Sequence, residues 1–278
     1  MKKVCVITGG GSGIGLSTAK LLAAKDYHII LVGRTESKLL TAVNEISTLG
    51  GSVEAFPCDI KDRVSTERLA KYASEKGTVM AVIHAAGLSP HMGNAETIME
   101  GNALGTINIH DAFYEVMEAG GCLIDTSSMS AYLTPQFLMP KNSYALCRTD
   151  RGKFMKKMMK RVNFFPEKSR PGIAYGISKH FVIWYAKTEA ARFGKKGVRV
   201  LSVTPGNFET PMGELEKEEA SAYLKFNAVK RFGKPEEIAN LYAALIDEGM
   251  GYLTGADIIC DGGCIASGAS PLKMLLKK

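Results

Sequence analysis

The chain has 278 residues, with 35 Lys plus Arg against 28 Asp plus Glu, a formal net charge of +7. Hydrophobic residues make up 46% and charged residues 23%, which excludes a disordered or fibrous chain and supplies a large core without disulfides or metals. No apolar run approaches the roughly 20 residues of a membrane span. The apolar stretch after Met1-Lys2-Lys3 stops at Thr8, too short for a signal peptide, so a start near Met1 and a cytoplasmic location are expected. The basic balance raises nucleic acid, a membrane surface or an acidic substrate as partners and says nothing of fold. The cysteines (Cys5, Cys58, Cys122, Cys147, Cys260, Cys264) form no C-x-x-C pair and no metal spacing, which reads as free buried thiols in a reducing compartment.

In chain order, short Val- and Ile-rich runs at 4–8, 28–33, 52–58, 79–84, 121–126, 198–204 and 256–260 read as strands. Continuous apolar runs suit strands buried on both faces of a parallel sheet. Helical patterns fall between them at 14–25, 36–49, 62–76, 96–119, 175–194 and 235–247. The alternation predicts one α/β domain over 1–278, a Rossmann-type doubly wound, mainly parallel seven-stranded sheet.

One segment, 132–172, breaks the rhythm. It contains no strand pattern and one basic amphipathic stretch, in which Phe154, Met155, Met158, Met159 and Val162 share a helix face. Lys153, Lys156, Lys157, Lys160 and Arg161 occupy the remainder, and Pro166 is expected to stop the helix. The segment holds ten basic and two acidic residues, a net of +8, which leaves −1 for the rest of the chain. The basic character therefore belongs to this insertion.

Two places in the sequence suggest a nucleotide. After the first strand comes Thr8-Gly9-Gly10-Gly11-Ser12-Gly13-Ile14-Gly15 and then a helix. Glycines let the backbone turn sharply and approach a pyrophosphate, whose charge the helix start meets. The strict G-x-G-x-x-G spacing is absent, and so is the Gly-Lys-Ser/Thr of a triphosphate loop. The second strand ends at Gly33-Arg34-Thr35. An arginine here suits a 2′-phosphate, which favours NADP(H), with NAD(H) left open by the nearby Glu36.

Tyr175 and Lys179 lie four apart, on one helix face. A close ammonium is expected to lower the tyrosine pKa and make it a usable acid or base. Ser127 and Ser128 follow the fifth strand, at the sheet edge where open α/β folds bind ligands, and Asn102 precedes that strand.

Together, Thr8-Gly9-x3-Gly13-x-Gly15, Asn102, Ser128 and Tyr175-x3-Lys179 resemble the short-chain dehydrogenase/reductase family. Asp59, His84-Ala85-Ala86-Gly87, Pro205-Gly206, Thr210-Pro211-Met212 and Asp261-Gly262-Gly263 extend the resemblance over about 3–265. It implies Tyr175 as proton donor or acceptor at the substrate oxygen, and Lys179 tuning Tyr175 and binding the nicotinamide ribose. It implies Ser128 as a hydrogen-bond donor to the substrate oxygen, and Asn102 as holder of a water leading from Lys179 to solvent. Thr8, Gly9, Gly11, Ser12, Gly13, Ile14, Gly15, Arg34, Thr35, Asp59, Ile60, Ala85, Ala86, Gly87, Pro205, Gly206, Phe208 and Thr210 would line the cofactor, with Asp59 at adenine and Thr210 at the carboxamide.

Two departures stand out. His84-Ala85 replaces the family's Asn-Asn, and His84 reads as a structural strand-end residue. Ser128 and Tyr175 are 47 positions apart, where the family has about a dozen. The insertion resembles that of bacterial 3α-hydroxysteroid dehydrogenase/carbonyl reductases, in which it alters the dimer contact. A homodimer or homotetramer is expected, with Tyr132, Leu133 and Phe137 as candidate walls of an apolar pocket. The basic helix reads first as packed on the core or a second subunit, with solvated lysines. A Met-rich lid, or contact of 153–161 with a membrane surface or acidic carrier, are the alternatives. No nucleic-acid-reading motif accompanies the charge.

The resulting expectation is an NADP-dependent oxidoreductase interconverting a secondary alcohol and a ketone, acting on a hydroxysteroid-like or other hydrophobic carbonyl. A 3-oxoacyl-carrier reductase is the alternative. A non-catalytic cofactor-binding regulator fits less well, because the Ser, Tyr, Lys and Asn are all present.

Overall fold

The computed structural model describes residues 2–270; Met1, at which the sequence reading starts the protein, lies outside them. The strands are β1 (Lys3–Thr8), β2 (Tyr27–Gly33), β3 (Val53–Pro57), β4 (Thr78–His84), β5 (Cys122–Thr126), β6 (Arg199–Pro205) and β7 (Asp257–Cys260). Each boundary falls within one residue of its expected position. The strands form one parallel sheet in the order β3-β2-β1-β4-β5-β6-β7. The order reverses between β1 and β4, and at such a point the strand ends open a crevice.

The helices, in chain order, are α1 (Gly13–Ala23), α2 (Glu36–Thr48), α3 (Arg63–Lys76), α4 (Ala95–Met99), α5 (Gly105–Val116), α6 (Ser130–Leu133), α7 (Lys141–Tyr144), α8 (Arg151–Asn163), α9 (Arg170–Gly194), α10 (Pro211–Leu215), α11 (Lys217–Ser221) and α12 (Pro235–Leu245). Alternate strand residues feed opposite layers, as period-two side chains must. Cys5 and Ile7 pack with α1, α2 and α12, whereas Val4 and Val6 pack with α3, α5 and α9.

Two expected helices differ in the structure. The helix expected at 96–119 is interrupted by a π turn, Glu100–Leu104, between α4 and α5. Gly101 and Gly105 sit in or beside it, and side chains there would collide with Leu88 and Ile60. The backbone therefore lies against its neighbours, and one extra residue is accommodated per turn. The helix expected at 175–194 starts earlier, at Arg170, with Pro171 in its first turn, where a missing N–H costs nothing.

The segment 132–172 forms α7, α8 and short 3-10 turns. Phe154, Met158 and Val162 of α8 are fully buried beside Ile98, Ile107, Phe181 and Tyr185. Pro166 follows α8, which ends at Asn163. Arg151 anchors the helix start by donating to Asn108 Oδ1 at 2.9 Å and Asp111 Oδ2 at 2.5 Å. Arg148 bridges Glu189 at 2.9 Å. The first reading of the basic helix holds in its intramolecular form: the apolar face joins this chain's own core. Five of the six cysteines are buried and Cys260 is half-buried, all as free thiols.

Candidate active site

A cavity of 590 Å³ opens along the carboxyl ends of the strands. At one end the Gly-rich turn runs from β1 into α1. Gly9 (φ 69°) and Gly13 (φ 55°) adopt left-handed conformations that side chains strain. A Cβ on Gly9 would also come within 3.0 Å of Ala86 N, so the turn lies directly against the end of β4. Thr8, Gly9, Gly11, Ser12, Gly13, Ile14, Gly15, Arg34, Thr35, Asp59, Ile60, Ala85, Ala86, Gly87, Pro205, Gly206, Phe208 and Thr210 all line the cavity, as expected. Lys38, which no motif singled out, joins Arg34 there, one helical turn further on. Glu36 is an acid in the first turn of α2, where the helix dipole favours it.

These residues fit a dinucleotide. The start of α1 offers backbone N–H groups, Arg34 and Lys38 offer cations where β2 ends, and the glycines leave room for close approach.

The other end holds the chemistry. Tyr175, Ser128 and Lys179 line the cavity together. The Lys179 Nζ donates to the Thr126 carbonyl at 2.8 Å and sits 5.9 Å from the Tyr175 ring centre. Burial lowers the Lys179 pKa to about 8, against the upward pull of the Asp125 and Glu216 carboxylates. The Ser127 hydroxyl donates to the Lys179 carbonyl at 2.8 Å, so it braces α9. The Ser128 hydroxyl instead accepts from Ser130 N–H at 3.2 Å and hydrogen-bonds Tyr175.

Three expectations are corrected here. Burial pushes the Tyr175 phenol above its ordinary pKa, the Ser128 hydrogen bond only partly offsets this, and Lys179 is not among the influences that lower it. With its own pKa lowered to about 8, the ammonium is already neutral in the range where the buried phenol would ionise. Asn102 is 2% exposed and does not line the cavity; its Oδ1 accepts Leu88 N–H at 2.8 Å, and its Nδ2 donates to Leu88 O and Ser178 Oγ at 3.0 and 3.1 Å. Tyr132 and Phe137 also lie off the wall. Tyr132 donates to Asp257 at 2.7 Å, and Phe137 is 79% exposed. Leu133 does line the cavity, since α6 places it inward.

Sequence reasoning missed much of the substrate end. Leu88, Met92, Met129, Thr134, Ile173 and Met212 make it mainly apolar, and Glu216 adds a carboxylate. They come from separate loops and helix starts without a shared spacing, so only the fold brings them together. The insertion contributes wall residues at its two ends, and α8 packs against α4 and α9 rather than closing over the cavity.

The chain matches the family model described as short chain dehydrogenase over residues 3–142, and one described as enoyl-(acyl carrier protein) reductase over 162–264. It is 28% identical over 271 residues to a short-chain dehydrogenase/reductase of Alternaria brassicicola, covering 96% of this chain and 97% of the relative. It is 25% identical to a cyclohexanol dehydrogenase of an Acinetobacter species, covering 94% of each chain. A short-chain type dehydrogenase/reductase structure from Mycobacterium ulcerans superposes with a TM-score of 0.77 at 25% identity, over 95% of this chain and 90% of that one. A Burkholderia cenocepacia short-chain dehydrogenase in complex with NADP gives 0.75 at 23% identity, over 95% and 98%. By sequence match and by fold, the chain belongs to the short-chain dehydrogenase/reductase family.

Proposed function

We propose that this oxidoreductase interconverts a hydrophobic secondary alcohol and its ketone with NADP(H) as preferred cofactor. The observation that carries this reading is the meeting of Ser128, Tyr175 and Lys179 in one cavity, between a basic nucleotide cradle and an apolar wall. When bound, a nicotinamide cofactor supplies or takes the hydride. Tyr175, held protonated by its burial, carries the proton that a ketone oxygen needs as it becomes an alcohol. Ser128 offers a pre-placed donor to the same oxygen. Lys179 supports the site as a cation held on the end of β5.

The apolar wall suits hydroxysteroid-like or other bulky carbonyls. Cyclohexanol is the substrate named for one relative, and a Thermotoga maritima relative, 26% identical, is a 3-oxoacyl-[acyl-carrier-protein] reductase. A homodimer or homotetramer belongs to this reading.

NADPH oxidation measured against cyclic ketones, steroid ketones, quinones and β-ketoacyl thioesters tests the substrate class. Turnover of the first two with low KM is the expected result, and turnover of the thioesters alone would overturn it. Arg34→Ala should raise KM for NADPH at least about tenfold, the cost of roughly one charge-assisted contact, and leave NADH nearly unchanged. Equal losses for both would contradict the 2′-phosphate role.

A further inference from the structure

His84 departs from the family pattern, and its surroundings give it more than a filling role. It is 2% exposed, at the end of β4. Its Nδ1 lies 2.8 Å from Thr8 Oγ1 and its Nε2 lies 3.2 Å from Thr106 Oγ1. The neighbouring bonds fix the protons. Thr8 Oγ1 already accepts from Ala86 N–H at 3.0 Å, which leaves its own hydrogen for Nδ1. Thr106 spends its hydrogen on the Asn102 carbonyl at 2.7 Å, so Nε2–H must donate to Thr106. A neutral imidazole with its proton on Nε2 satisfies every group.

The chain of bonds continues. Asn102 lies in the π turn, and its Nδ2 donates to Ser178 Oγ at 3.1 Å. Ser178 in turn donates to the Tyr175 carbonyl at 2.8 Å. Thr8, Thr106, Asn102 and Ser178 are all at most 2% exposed, so water cannot replace a lost partner cheaply. One end of the chain is the residue that begins the Gly-rich turn. The other is the backbone of the catalytic helix beside Tyr175. Gly87 sits between them, where a Cβ would be 3.1 Å from Lys179 Nζ and 3.2 Å from Asn102 Oδ1.

We propose that His84 is a positioning residue, the central link of a buried hydrogen-bonded spine, Thr8–His84–Thr106–Asn102–Ser178–Tyr175, that couples the seating of the cofactor to the placement of the catalytic tyrosine. A ring reaches both hydroxyls at once; the shorter Asn side chain of the family pattern spans less, so this chain uses an imidazole on β4 to tie its paired strand β1 to α5, two elements that no backbone pairing connects. The inference rests on the NADP(H) reading of the same cavity.

The test measures NADPH affinity by fluorescence titration, kcat for a ketone, and thermal stability, in wild type, His84→Phe, His84→Gln, Thr106→Val and the His84→Phe/Thr106→Val double variant. His84→Phe keeps a flat aromatic ring and deletes both bonds. It should weaken NADPH and lower kcat about tenfold or more, as loosened alignment does. Thr106→Val should lower kcat while NADPH affinity stays near wild type, because it cuts the spine beyond His84. His84→Gln, with one acceptor and one donor, should recover part of both losses. The double variant should lose no more kcat than His84→Phe alone, because both cut one chain. The proposal is overturned if His84→Phe lowers only thermal stability, or if the two kcat losses multiply independently. Should His84→Phe fail to fold, a Thr106→Val variant with wild-type kcat overturns it as well. Failure of wild type to bind NADPH would instead count against the functional reading itself.

Discussion

At the scale of single residues, two protonation states organise the site. Tyr175 is pushed up by burial and is neutral near pH 7, whereas Lys179 is brought down to about 8 and loses its charge just above neutrality. If the Lys179 charge supports cofactor and proton transfer, kcat/KM for ketone reduction should be flat below about pH 7 and fall as pH rises through about 8, because this profile reports groups of the free enzyme. A profile flat to pH 10 in a stopped assay would show that the ammonium is not required. That Ser128, Tyr175, Lys179 and the glycine turn share one cavity was legible, because helix spacing puts Tyr175 and Lys179 on one face and the serine and the glycines follow strand ends; their roles came from the family resemblance. The tyrosine pKa was not legible. It depends on burial, which only the assembled fold around Tyr175 reveals.

At the scale of elements, the strand runs were readable because all seven lie in one parallel sheet and each is bounded by polar or glycine residues. The π turn at Glu100–Leu104 was not, since its residues continue a helical pattern and only packing against Leu88 and Ile60 reveals the extra residue. The face of α8 was legible from its period, and Phe154, Met158 and Val162 are the residues it buries. Phe154 packs against Phe181 of α9 with the rings tilted and their centres 4.8 Å apart. Phe154→Ala should therefore cost about 3–5 kcal/mol in urea unfolding, the loss typical of a buried phenylalanine. A loss under about 1 kcal/mol would mean that α8 is held by its end contacts, Arg148 and Arg151, rather than by its apolar face.

At the scale of the whole molecule, the charge and the chemistry separate. The +8 of 132–172 rides mostly on the outer face of α8, where Lys153, Lys156, Lys157, Lys160 and Arg161 are exposed, while the remaining chain carries −1. Among the described residues no helix is long and apolar enough to cross a membrane. The insertion serves the cavity only through its ends, at Leu133–Pro135 and Gly172–Ile173, so its middle can carry charge without disturbing the reaction. The sequence put Tyr132, Leu133 and Phe137 forward as pocket walls, but which residues of the segment face inward depends on the short α6 turn and the early start of α9. What unites the molecule is one cavity with a cofactor cradle at one end and Ser128, Tyr175 and Lys179 at the other. Replacing Tyr175 with Phe removes a single oxygen from that cavity and tests the claim most directly. Steady-state NADPH oxidation with a ketone that the wild type reduces should fall about 100- to 10,000-fold, the usual worth of a positioned acid, while NADPH still binds within a few-fold of wild type. Turnover of Tyr175→Phe close to wild type would contradict the account.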